Sequence, residues 1–476
     1  KLVKKPRQVA LAAQELLGAD AAELVPLLAD RSSRFVYLAR KADPAKAAEL
    51  EQRGLAGVGF YPEELRTYPQ RTVAAQLLGF ADVDNKGLEG LEAALDKSLA
   101  GRPGRETTIS DPAGRVIQVV RSTPERTGAD VFLTIDRRIQ ETTERVLRET
   151  VKTWKALGGN AIVLDPRTGA VLAMAVAPGY DANRFATTAP ERRRNRAVTD
   201  VYEPGSTFKI VTVAAVLSEK LVTPTTPFTL KDSIRVADRI INEHEPRPTE
   251  RMTVAQILAR SSNIGTVTLA QRLGEKRLRR WIGRFGYGKP TGVDAAGESH
   301  GLLPGYWSGS TIGNVPIGQG IGVTPIQMAS AYSVLANGGV LRKPYLVDRV
   351  GGARRARTPG RRVVSATVAA QMMAMLRDVV SAEGGTGGAA AIDGYTVAGK
   401  TGTANKPIPG GYSSTKYFAS FVGIVPAKDP RLVVLVSIDE PKGTIYGGVV
   451  AAPAFSEIAR SALVPLEIPP DAIRAP

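Results

Sequence analysis

The order of apolar and polar positions divides the chain into stretches of different period. Over residues 6–54 apolar residues recur at helical spacing in short runs parted by Pro, Gly and Asp, which predicts short amphipathic helices. "LAGVGFYPEELRTYP" (55–69) predicts a strand and a turn, and residues 77–101 a loop followed by a helix that stops at Gly101. Residues 105–121 alternate on either side of Pro112 and Gly114, as the arms of a hairpin do. The polar, Pro- and Gly-bearing stretch 122–130 then predicts a domain boundary, so that 1–125 and 126–476 form separate domains.

The second part begins with a strand and a long helix, followed by two apolar runs around "DPRTG" (165–169) that predict a hairpin. Helical periodicity covers 253–286, 323–337 and 366–382. After these come strand-like runs in "YTVAGKTGT", "KYFASFVGIVP" and "RLVVLVSIDEP", and a helix over 451–463 closes the domain. Strands at both ends with helices between them predict an α+β domain whose sheet is completed by distant segments.

Composition narrows the chemistry. A chain of 476 residues can bury a large core in two or three domains. It contains no cysteine, which excludes disulfides and thiolate metal sites, and its two histidines exclude a multi-histidine metal site. A net charge of +17 favours contact with anionic matter. The basic runs at 191–196 and 354–362 carry no interleaved aromatics, and neither zinc-finger spacing nor a phosphate-binding loop occurs. A solvated face is therefore expected for both runs, with no nucleic-acid partner. No run of about 18 apolar residues is present to span a bilayer, and the first residues read as the middle of a longer chain, cut into a helix.

The stretch "YEPGSTFKIVTVAAVLSEKL" (202–221) joins a Pro-Gly turn to an apolar helix, with Ser206 and Lys209 one helical turn apart at the joint. Ser206 alone suits a helix N-cap. With so few histidines, however, a serine nucleophile would have to use lysine as its base. A second Ser-x-x-Lys, Ser413 to Lys416, lies where alternation predicts a surface turn before a strand. Two further strings decide between these readings. Ser261-Ser262-Asn263 follows a helical run, and Lys400-Thr401-Gly402-Thr403 ends a strand-like one. Singly they suit a turn and an exposed strand end. Together and in this order they form the active-site set of penicillin-binding proteins and class A β-lactamases.

On these strings, and on "LLGFADVDNKGLEGLE", "DPRTGAVLAMA", "NRAVTDVYEPGSTFK", "IGQGIGVTPIQMASAY" and "YGGVVAAPAF", the chain resembles the class B penicillin-binding proteins over nearly its whole length. These are monofunctional peptidoglycan transpeptidases, and the chain is most similar to the division type. The resemblance implies a smaller α+β pedestal domain without catalytic residues. A penicillin-binding domain follows it, with an antiparallel sheet covered by helices and an all-helical lobe. It also implies a membrane anchor upstream of this sequence and an extracytoplasmic catalytic domain. The expected partners are peptidoglycan stem peptides ending in D-Ala-D-Ala, β-lactams, a membrane glycosyltransferase and other division proteins.

For the reaction the resemblance implies Ser206 as nucleophile and Lys209 as its base, neutral because burial and the charge of Lys400 lower its pKa. Ser261 would relay a proton to the leaving amine, and Asn263 would hold Lys209 and the substrate amide. Thr401, Gly402 and Thr403 would bind the donor's terminal carboxylate, and the N–H groups of Ser206 and Thr403 would form the oxyanion hole. No metal or organic cofactor is needed. The alternatives are an elongation-type transpeptidase, a β-lactamase that deacylates with water, a silent penicillin sensor, or a basic binder of nucleic acid or wall polymer.

Overall fold

A computed structural model describes residues 3–111 and 116–472. Two compact units are distinguished: Lys1–Pro69 with Ala81–Leu88, and Gln70–Phe80 with Glu89–Pro476.

The smaller unit is built on helices. Asp20 and Asp43 cap the helices Ala21–Ala29 and Pro44–Gln52 by accepting first-turn N–H groups. Ala10 and Ala13 of the helix Pro6–Leu17 pack on Ala21 and Leu24, and Ala12 and Leu16 on Leu50. The strand expected within 55–69 does not form. Its N–H and C=O groups meet no partner strand, and Tyr61 (77% exposed) and Leu65 point outward. Side chains hold the stretch instead: Arg40 Nε donates to Glu63 at 2.6 Å and its Nη2 to Asp84 at 2.8 Å.

In the larger unit five strands form one antiparallel sheet. They are β1 (Gly158–Leu164), β2 (Val171–Ala177), β3 (Ala398–Ile408), β4 (Gly411–Val425) and β5 (Leu432–Asp439), in the spatial order β3-β4-β5-β1-β2. The first two pair with the last three across more than two hundred residues of sequence. Both faces are covered, so every position of β1 and β5 is buried, and their apolar residues run consecutively rather than alternating. Ala161, Val163, Phe421 and Val436 face one core, where α1 (Arg137–Thr153) and α6 (Ala452–Leu463) pack. Ile162, Leu164, Val422 and Leu435 face the other core. That core holds the helical lobe: α2 (Lys209–Ser218), α3 (Asn263–Leu273), α4 (Pro325–Ala336) and α5 (Ala366–Ser381).

The helical stretch expected over 253–286 is three helices. Val254–Ala259 ends before Ser261, whose φ of 60° leaves the right-handed region, and α3 ends at Gly274 before Glu275–Arg284 begins. The hairpin expected over 105–121 has arms Arg105–Ser110 and Val116–Thr123, and its turn at 112–115 lies outside the described residues.

Candidate active site

Ser206 does not cap a helix. It sits inside a single 3-10 turn, Gly205–Phe208, that runs directly into α2 at Lys209 and makes no side-chain cap bond. The turn is wedged against β3. Gly205 has a φ of 54°, and a Cβ there would stand 2.7 Å from Thr403 O. Gly205 N–H donates to Gly318 O at 3.1 Å, and the Tyr332 hydroxyl donates to Thr207 O at 2.9 Å. Thr207, Phe208 and Lys209 are buried while Ser206 stays half-buried. The N–H of Ser206 belongs to the first turn, where no intrahelical acceptor exists.

Lys209 has no exposed surface. Its Nζ donates to Asn263 Oδ1 at 2.7 Å and to Ser261 O at 2.5 Å, with Ser261 Oγ at 3.3 Å. None of these bonds goes to Ser206 Oγ. Among the described residues no carboxylate contacts the amine, and burial pushes its pKa well below the ordinary 10.5; the charge of Lys400 adds to this, while Glu243 opposes it.

Ser262 supplies the cap of α3, its Oγ accepting Gly265 N–H at 2.9 Å. This leaves Ser261 and Asn263, on either side, free to meet Lys209. Glu243 completes the arrangement. One of its oxygens accepts from Ser262 Oγ and the other from Asn263 N–H at 2.8 Å, while Asn263 Nδ2 donates to Asn242 O at 3.1 Å. The Glu243 side chain is 4% exposed, with Arg247 at 3.7 Å. Sequence reasoning missed this residue. A carboxylate suits a helix N-terminus, but Glu243 arrives from a separate hairpin, and no local pattern links it to α3.

Lys400 on β3 is also fully buried, and among the described residues its amine donates only to Thr401 O (3.2 Å) and Thr401 Oγ1 (3.4 Å). Burial lowers its pKa to about 7. The Thr401 hydroxyl is buried and shares a hydrogen bond of 2.7 Å with Thr386. Gly402 leaves room for both β4 and the serine turn, since a Cβ would lie 2.4 Å from Ser420 Oγ and 3.1 Å from Pro204 O. Thr403 is half-buried, and its Oγ1 accepts Gly447 N–H at 3.4 Å.

All the expected site residues thus lie on α2, α3 and β3 and the turns that lead into them. Ser413 is elsewhere and is not the surface turn expected. It is buried within β4, and its Oγ accepts the N–H groups of Thr415 (3.2 Å) and Lys416 (3.0 Å). The first basic run is not simply a solvated face either. Arg196 donates to Asp200 at 3.0 Å and to Asp439 at 2.8 Å, because burial at the end of β5 requires a partner for that carboxylate.

The chain as a whole is similar to known proteins. The penicillin binding protein transpeptidase domain family matches residues 159–460, and the penicillin-binding protein dimerisation domain matches 3–133. The peptidoglycan D,D-transpeptidase FtsI of Escherichia coli is 37% identical over 451 residues, which cover 94% of this chain and 75% of that protein. Stage V sporulation protein D of Bacillus subtilis is 36% identical over 90% of this chain and 69% of its own. Among solved structures, penicillin binding protein 3 of Mycobacterium tuberculosis complexed with ampicillin superposes with a TM-score of 0.80. It shares 34% identity over 87% of this chain and 92% of that chain. The chain belongs to the class B penicillin-binding proteins.

Proposed function

We propose that this protein is a serine peptidoglycan D,D-transpeptidase of cell division, inhibited by β-lactams through the same acyl-enzyme that carries its reaction. Family membership supports the reaction class, and the relatives named FtsI and stage V sporulation protein D support work in cell division. One observation carries the mechanism: Lys209 lies beside the serine turn, fully buried and unpaired with any carboxylate, so it is able to be a neutral base.

Ser206 Oγ attacks the carbonyl carbon of the penultimate D-alanine, and its proton passes to Lys209 Nζ. The oxyanion that forms is held by the N–H groups of Ser206 and Thr403, donors whose orientation the turn and the strand hold in advance. As the peptide bond breaks, the proton returns through Ser261 Oγ to the nitrogen of the departing D-alanine. An amine from a neighbouring stem peptide then attacks the ester carbon and gives its proton to Lys209, and Ser206 Oγ leaves with that proton. Lys400, with Thr401, Gly402 and Thr403, receives the donor carboxylate, whose charge favours the protonated amine of Lys400. Asn263 orients Lys209 and the substrate amide, and Glu243 positions Asn263. The bond from Lys209 to Ser206 forms in the substrate complex, since catalytic hydrogen bonds commonly tighten only there.

Residues 1–125 form the pedestal in this account. The enzyme works at the outer face of the cell membrane, with a membrane glycosyltransferase and other division proteins as partners. The test is incubation with a donor peptide ending in D-Ala-D-Ala and an acceptor amine, followed by chromatography. Release of one D-alanine per amide cross-link supports the reading; donor hydrolysis that ignores the acceptor contradicts it.

A further inference from the structure

The second basic run helps to enclose a cavity of about 210 Å³ on the larger unit, formed by the β1–β2 turn, the segment after α4 and the loop 355–358. Its wall carries Arg167, Arg342, Lys343, Arg355 and Arg357 and a single carboxylate, Asp294. That carboxylate is fully engaged. One oxygen accepts the N–H groups of Leu346 (3.0 Å) and Val347 (3.1 Å), and the other accepts Arg355 at 2.6 Å.

The other nearby carboxylates are also in use. Asp348 accepts Arg357 at 3.1 Å and has Arg349 and Arg354 within 4 Å, and Asp429 pairs with Arg167. Arg342 and Lys343 have no anionic partner among the described residues, and Arg342 Nε is buried without an acceptor. A guanidinium cannot shed its proton to relieve this, and a buried donor left unmade is costly. With three carboxylates for the five lining cations, at least two positive charges remain uncompensated.

We propose that this cavity binds a phosphate group carrying two negative charges, with Arg342 donating from its fork and Lys343 supplying charge at the mouth. A tetrahedral oxyanion offers acceptors in several directions at once, which suits arginines arriving from three separate segments. The site stands apart from Ser206 and does not depend on the reaction assigned above. The phosphate could belong to a soluble compound or to a lipid headgroup, and the experiment separates these sources.

The probes are inorganic pyrophosphate, followed by titration calorimetry, and phosphatidylcholine vesicles with or without phosphatidic acid, followed by flotation. Three proteins are compared: the wild type, the double variant Arg342→Gln/Lys343→Gln, and a surface control, Arg272→Gln/Arg280→Gln. Pyrophosphate is expected to bind more weakly as salt rises, with about a tenfold loss in the cavity variant and less than about a twofold loss in the control. Acylation by benzylpenicillin should be the same in all three. If flotation with phosphatidic acid follows the same order, the source is a headgroup; if only pyrophosphate binds, it is a soluble phosphate compound. Absence of binding at low salt, or equal weakening of both double variants, would overturn the proposal, because the latter describes diffuse attraction to a basic surface. Should the double variant melt early, Lys343→Gln alone, at an exposed position, must still weaken pyrophosphate measurably, and wild-type affinity there also overturns the proposal.

Discussion

Replacing Lys400 by Met should make the protein more stable and nearly inactive. The amine of Lys400 is fully buried, and its hydrogen bonds are two long ones to Thr401. It titrates at about 7 in the fold, against 10.5 for a free lysine. Between those values the unfolded chain holds the proton and the folded chain releases it, so stability rises with pH across that window. Below pH 7 the fold bears the full penalty, on the order of 5 kcal/mol. Met has nearly the shape of the lysine stem and no charge, and an imperfect fit costs up to about 1.5 kcal/mol. The variant should therefore gain about 2–4 kcal/mol at pH 6, and the gain should disappear as the pH approaches 10. The assay is thermal melting of both proteins at several pH values, with benzylpenicillin acylation measured alongside. A difference in melting temperature that does not change with pH would refute the reasoning, because Lys400 would then be charged and adequately solvated in the fold. Stability forgone at one buried residue is the expected signature of a group kept for its chemistry.

Four other outcomes follow. Lys209→Arg should lower the acylation rate by about 10² to 10⁴, since guanidinium stays protonated; Lys400→Arg should keep part of the activity. The rate for carboxylate-bearing donors should fall as pH rises above about 7, where Lys400 loses its proton, and that fall should shift to higher pH in Lys400→Arg; a dead Lys400→Arg beside an active Lys209→Arg would exchange the two roles. Glu243→Ala leaves Ser262 Oγ and Asn263 N–H without acceptors, which should cost about 2–4 kcal/mol in melting stability and slow acylation; an unchanged rate would remove Glu243 from the account. A chain beginning at Ala129 should still be labelled by penicillin if it folds, but with a lower melting temperature, because it lacks Leu77 and Leu91 from the core and the bond from Ala74 N–H to Glu144; a folded, monomeric truncation without labelling would contradict the assignment of residues 1–125 as non-catalytic.

The elements that sequence patterning located best are those whose period is set by burial on one face or on both. The β1–β2 hairpin, α4, α5 and the three C-terminal strands all fall where apolar runs placed them. The strand expected at 55–69 failed because alternation records the preference of side chains and says nothing about whether a partner strand exists. The three chemical strings were legible because each is local, and the order of the strings is preserved in any fold that brings them together. Glu243 and Thr386 were not legible. Each acts only through hydrogen bonds to distant residues, Glu243 to Ser262 and Asn263 and Thr386 to Thr401, and such pairing leaves no mark on the neighbouring residues. The half-buried placing of Ser206 was likewise hidden, since it depends on β3 and Gly318 closing around the turn.

The claim on which the account rests is that Ser206 is the nucleophile. Intact mass spectrometry after incubation with benzylpenicillin, followed by proteolysis and peptide mapping, tests it most directly. The account predicts a single adduct per chain, carried on the peptide containing Ser206 and absent from Ser206→Ala. A label on the peptide containing Ser413, or a folded wild-type protein that takes up none, would contradict it.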